Sequence, residues 1–166
     1  FFPMHPRNHS ILLSVILTLC TAISYPSAFA QNGRGIWQDE KEAAVLSARS
    51  KPASKRTLVP RSYRTLRVNR AALSAVLATA KLEFSRRDQI PTELDLPMPD
   101  GTFARFTVEE SPIMDPKLAA KFPEIKTYIG QGIDDPKLTA RLDQTPQGFH
   151  AIIFTGSDSV YIDPYW

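Results

Sequence analysis

The residues of this 166-residue chain that could do chemistry are few, and their spacing works against it. The histidines are His5, His9 and His150. A zinc site that hydrolyses peptides needs two histidines one helical turn apart, with a glutamate beside the first to activate water. His5 and His9 have the spacing, but Pro6 stands where the glutamate belongs and both precede an apolar run. His150 stands alone in an apolar stretch and reads as a core or sheet-surface residue. Glu109 with Glu110, and Asp134 with Asp135, are adjacent acids. Neighbours on a strand point to opposite faces, and an Asp pair before Pro136 is turn chemistry. No Gly-x-Ser-x-Gly elbow and no phosphate-cradling glycine loop occurs. The sequence therefore assigns no catalytic, cofactor-binding or metal-ligating residue.

The N-terminal residues set the compartment. Met4 reads as the start, with Arg7 and its neighbouring histidines as a weakly basic lead. Residues 11–23 are apolar except for Ser14, Thr18 and Thr21. That run is shorter than the ~20 residues a membrane-spanning helix needs. Ala28 and Ala30 supply small side chains at the −3 and −1 positions of a signal-peptidase site. Residues 1–30 thus read as a secretory signal peptide, cut before Gln31. Cys20, the single cysteine, lies inside the apolar run. The segment from Gln31 onward can form no disulfide, thiolate metal site or thiol nucleophile. The expected location is outside the cytoplasm, secreted or periplasmic, with no stable membrane insertion after cleavage.

Charge divides what remains. Residues 49–70 hold eight basic side chains and no acid, whereas residues 88–166 hold 13 acids and six bases. Basic stretches bind nucleic acid in some proteins, but this one holds Pro52 and Pro60 in an exported chain, so no nucleic-acid partner is expected. It reads as a lead-in or linker over 31–62, lying across an acidic surface of this domain or of a neighbour. Residues 63–166 read as the folded domain.

Within that frame the pattern predicts α+β. Residues 36–48 suit a short helix and 63–68 a short strand. Asn69 caps a helix whose buried face is Leu73, Val76, Leu77, Ala80 and Phe84. Residues 93–108 predict a hairpin around Pro99-Asp100-Gly101. A three-residue loop with Gly in the left-handed position sets Met98 opposite Thr102, Leu96 opposite Ala104 and Leu94 opposite Phe106. A two-residue loop opposes Leu96 to Arg105 and spoils the apolar face. Asp115 caps a second helix with Pro116 at its first position and Leu118, Ala119 and Phe122 as its buried stripe. Strands near 126–130, 138–142, 149–154 and 160–162 complete an antiparallel meander. The two helices at 69 and 115 are expected to pack on one face of it.

Six pieces occur in a fixed order: Tyr-Arg-Thr-Leu at 63–66, Leu-Pro-Met-Pro-Asp-Gly-Thr-Phe at 96–103, and Glu-Ser-Pro-Ile-Met at 110–114. Lys-Phe-Pro-Glu-Ile-Lys-Thr-Tyr at 121–128, Gly-Phe-His-Ala at 148–151 and Tyr-Ile-Asp-Pro at 161–164 follow. The ordered series resembles the pro-region that precedes the catalytic domain in bacterial reprolysin-type (adamalysin-like) secreted zinc metalloproteases. The resemblance covers residues 36–165. It implies a non-catalytic segment that assists folding of a downstream protease domain and keeps it silent, the zinc belonging to that domain. Many animal relatives silence the zinc with a pro-region cysteine, and residues 31–166 contain none. A free-standing exported binding module is the alternative reading.

Overall fold

The structure is a computed structural model that describes residues 35–48, 60–85 and 90–165. The segment expected to be a signal peptide, with Ala28, Ala30 and Gln31, lies outside these residues, as do His5, His9 and Cys20. The fold is α+β. Strand β1 (Trp37–Asp39) pairs antiparallel with β2 (Leu66–Val68) as a two-stranded sheet. Helices α1 (Glu42–Ser47), α2 (Arg70–Leu77) and α3 (Pro116–Ala119) are short. A seven-stranded sheet holds the rest: β3 (Lys81–Leu82), β4 (Thr92–Pro97), β5 (Phe103–Glu110), β6 (Lys126–Gly132), β7 (Thr139–Gln144), β8 (Phe149–Phe154) and β9 (Ser159–Ile162).

Strands β4 to β9 form the expected antiparallel meander. The hairpin register is the one the turn chemistry dictates. Leu94 faces Phe106 and Leu96 faces Ala104. The Met98 amide donates to the Thr102 carbonyl at 2.9 Å, and Gly101 sits at φ 98°. That φ is in the left-handed region where a β-carbon is penalised. Gly132 answers to a different constraint: the Asp135 carbonyl oxygen lies 2.2 Å from where its Cβ would stand.

Alternation puts one face of the sheet inside. Leu94, Leu96, Phe106, Val108, Tyr128, Ala140, Leu142, Ala151 and Ile153 form a continuous buried layer. Burial pushes the Tyr128 phenol up to about 12, with the Glu110 carboxylate adding to the shift. Leu73 and Leu77, one helical turn apart, bring α2 onto this layer. The Asn69 side chain caps α2 by accepting from the Ala72 amide at 3.1 Å. Gln144 in β7 donates to Ser74 of the same helix at 2.6 Å.

Four expectations need correction. Residues 37–39 are strand rather than helix, because they pair with 66–68, about 30 positions away, and helix begins only at Glu42. The strand expected over 63–68 forms only from Leu66. Helix α2 stops at Leu77, so Phe84 leaves the buried face: it is 94% exposed, at φ 65°. Thr79 ends the helix by turning its hydroxyl back to the Val76 carbonyl at 2.7 Å, and Lys81–Leu82 then pair with β5 in parallel. Asp115 and Pro116 start α3 as expected, but none of its residues is buried and Leu118 and Phe122 are exposed, so of the two expected helices only α2 joins the core of the sheet. Four residues make a single turn, too short to carry a stripe across a core.

Phe106 is fully buried and touches the space that Gly130 leaves open. Phe106→Ala should cost about 3–5 kcal/mol in urea unfolding. Gly101→Val should cost more than Gly101→Asn, since Asn tolerates left-handed backbone; equal costs would contradict the bulged turn.

Candidate interaction surfaces

The lead-in is held by one arginine. Arg64 is largely buried, its side chain 12% exposed. It grips both Asp39 carboxylate oxygens, at 3.1 and 2.9 Å, through Nε and Nη2. Its Nη1 donates to the Met98 and Thr102 carbonyls at 3.0 and 3.1 Å, the two that close the hairpin loop. The guanidinium carbon lies 5.3 Å from the centre of the Phe103 ring. This planar fork joins β1, the lead-in and the hairpin tip at one point. Arg67 pairs with Glu40 at 2.6 Å and Arg61 with Asp158 at 3.5 Å. So the described part of the basic stretch lies across this domain's own acids.

The pieces in the ordered series meet in pairs. Through Arg64, residues 63–66 hold 96–103. The Ser111 amide donates to the Thr127 carbonyl at 2.9 Å and the Thr127 hydroxyl returns to the Ser111 carbonyl at 2.6 Å, joining 110–114 to 121–128. Lys126 pairs with Glu110 beside them at 2.6 Å. Ala151 faces Ile162 across β8 and β9, and Pro164 Cγ lies 2.5 Å from where a Gly148 Cβ would stand. Each piece is thus a structural tie for another.

The acids weighed for chemistry are tied up as well. Asp134 receives both Nε (at 2.8 Å) and Nη2 of Arg105, which holds its carboxyl below the usual range and raises the arginine in turn. Asp135 accepts from the Lys137 amide at 3.0 Å, as a turn aspartate does. Glu110 pairs with Lys126, while Glu109 lies on the opposite face. His150 is on the sheet surface, its Nδ1 2.7 Å from Asp143 directly across on β7. Among the described residues no three His, Cys, Asp or Glu side chains gather as metal ligands, and no helix is long and apolar enough to cross a membrane.

What remains open is the outer face of the sheet. Its central row, read across paired strands, is Glu109, Ile129, Arg141, Ile152 and Tyr161. The next row runs Thr107, Gln131, Thr139, Phe154 and Ser159. No described element covers these rows. Tyr161 is 66% exposed, Phe154 is exposed, and Ile129 and Ile152 are half-exposed. Arg141 is exposed between the two isoleucines and has no ion-pair partner among the described residues. A row of apolar and aromatic side chains around one unpaired cation is the composition of a protein-binding patch. Sequence reading missed it because Ile129, Ile152 and Tyr161 were read only as members of apolar strands. Their alternation with the buried Tyr128 and Ala151 and the half-buried Ile162 is the available signal.

Comparison with protein-family models, curated proteins and solved structures returns no match.

Arg64→Ala should lower stability by about 2 kcal/mol, because it removes charge-assisted bonds to two loop carbonyls. Arg64→Lys should recover only part of that, since an ammonium cannot reproduce the fork. Full recovery by lysine in urea melts would contradict the clamp. The Thr102 hydroxyl and amide hold the Asp100 carboxyl below its ordinary 3.8. A lowered folded value gives stability that is present above the unfolded value and lost as pH falls through the folded one. Asp100→Asn should therefore be less stable than wild type at pH 7, with the gap closing below about pH 4. A gap independent of pH would assign the loss to packing.

Proposed function

We propose that this domain is the non-catalytic pro-region of an exported zinc metalloprotease precursor, folding beside a downstream catalytic domain and covering its cleft. The single observation that supports the reading most is the division of labour between the two faces of the sheet. Most of the ordered series ties the fold to itself, while the outer face carries Ile129, Arg141, Ile152 and Phe154, with Tyr161 from the last piece of the series, and nothing described against them. Residues 31–166 hold no cysteine, so the contribution of this segment to silencing the zinc is burial of the substrate cleft rather than a thiolate. A stable cover of that kind buries above ~1,000 Å² in total. The charge for docking comes from Arg141 and from basic residues before Pro60. Arg61, Arg64 and Arg67 are already committed within the domain.

Residues 31–166 added in trans to the mature protease should slow peptide cleavage. Arg141→Asp combined with Ile152→Asp should weaken inhibition by roughly 30-fold or more, the scale of losing a buried anchor. Both substitutions lie on the outer face, so the urea midpoint should move little. Unchanged cleavage at tens of micromolar domain would overturn the pro-region reading and leave the free-standing exported binding module.

A further inference from the structure

Large apolar side chains collect at one end of the large sheet, where β5 passes to β6 and β3 joins them. The Glu83 amide donates to the Glu110 carbonyl at 2.8 Å, and the Ser111 hydroxyl donates to the Glu83 carboxylate at 2.5 Å. The Ser111 amide reaches the Thr127 carbonyl, so residues 112–125 leave the sheet and return to it at the same point. Five large apolar residues of this end face solvent: Leu82, Phe84, Ile113, Leu118 and Phe122. Phe84, Leu118 and Phe122 fit buried helical stripes by their spacing, yet each is exposed in the single chain.

Phe84 adds a second observation. Among the described residues it alone, apart from glycines, has a positive φ, at 65°. Left-handed backbone under an aromatic side chain costs free energy. The residue is also 94% exposed, so contacts within the chain do little to offset that cost.

Area and charge select what covers this end. At ~150–250 Å² for each large side chain, the five expose on the order of 500 Å². Two copies brought together would bury about 1,000 Å² in total, where specific interfaces begin. The charges around them are balanced, Lys81, Lys117 and Lys121 against Glu83, Asp115 and Glu124. The three lysines have no ion-pair partner among the described residues. An anionic bilayer would meet carboxylates here as often as ammonium groups. A second copy turned about a two-fold axis sets the lysines of each chain against the acids of the other.

We propose that the chain forms a two-fold dimer through this end of the sheet, with Phe84 and Ile113 of each copy at the centre of the contact and α3 beside them. The left-handed backbone at Phe84 then aims its ring at the other copy. The dimer requires neither the outer face nor the pro-region reading.

Sedimentation velocity on the whole chain tests it. The mass should pass from monomer to dimer as concentration rises through the micromolar range. Phe84→Asp combined with Ile113→Asp should raise the dissociation constant at least about 30-fold, the scale of losing a buried aromatic anchor. Phe84→Asn suits left-handed backbone. It should weaken the dimer at least about tenfold, while the urea midpoint of the dilute monomer holds or rises. A Phe84 that served only the fold would lower that midpoint instead, and this result would overturn the proposal. So would a chain that stays monomeric at about 100 micromolar, or a dimer indifferent to these substitutions. A monomer that binds phosphatidylserine vesicles through Phe84 and Ile113 would overturn it in favour of a bilayer.

Discussion

The sheet buries one face, and no second large sheet among the described residues closes on it, so its stability depends on what the chain lays across that face. Trp37 is the side chain that spans it. Its indole nitrogen holds the Asp95 carbonyl of β4, while its ring lies 5.8 Å from that of Phe149 in β8, tilted at 57°. In a flat sheet those strands would stand about 19 Å apart, four strand spacings. One indole reaches both because the sheet curls around its inner face. Beside it Ile36 is almost wholly buried and takes the Asn69 amide on its carbonyl at 2.7 Å, which fixes where α2 begins. The lead-in, the helix and the meander thus share a core, and Arg64 locks the lead-in to the hairpin tip from the other end.

Sequence disclosed the parts of this arrangement that are governed locally. The hairpin register follows from Pro99, Asp100 and Gly101 and the alternation on either side, all within 16 residues. The Asn69 and Asp115 caps are readable for the same reason: the capping oxygen and the amide it serves are two or three positions apart. Pairing at distance is where the reading failed. Trp37–Asp39 look helical beside Glu42, and only their partners at 66–68 make them strand. Phe84 continued the apolar spacing of α2, but Lys81–Leu82 gain more by joining β5 than by extending a helix whose last turn Thr79 already closes. The α3 stripe had the right residue types and too few turns to use them.

The candidate surface was legible in a weaker sense. Period-two alternation shows which residues share a face, but not which face lacks a cover. That depends on where β1, β2 and α2 settle, a long-range outcome. Likewise the basic lead-in advertised charge, and only the fold shows three of its arginines paired with Asp39, Glu40 and Asp158. The residues of the ordered series hold the domain together. The outer row, led by Ile129, Arg141, Ile152 and Tyr161, is the part of the sheet that no described element covers.

The lead-in is a layer of the core rather than an appendage to it. Urea unfolding in a Trp166→Phe background, followed by Trp37 fluorescence and by far-ultraviolet circular dichroism, tests this most directly. A single cooperative domain requires both signals to share one midpoint and one slope. Loss of the Trp37 signal at clearly lower urea, with the strand signal intact, would show that the sheet folds without its cover and would contradict the account.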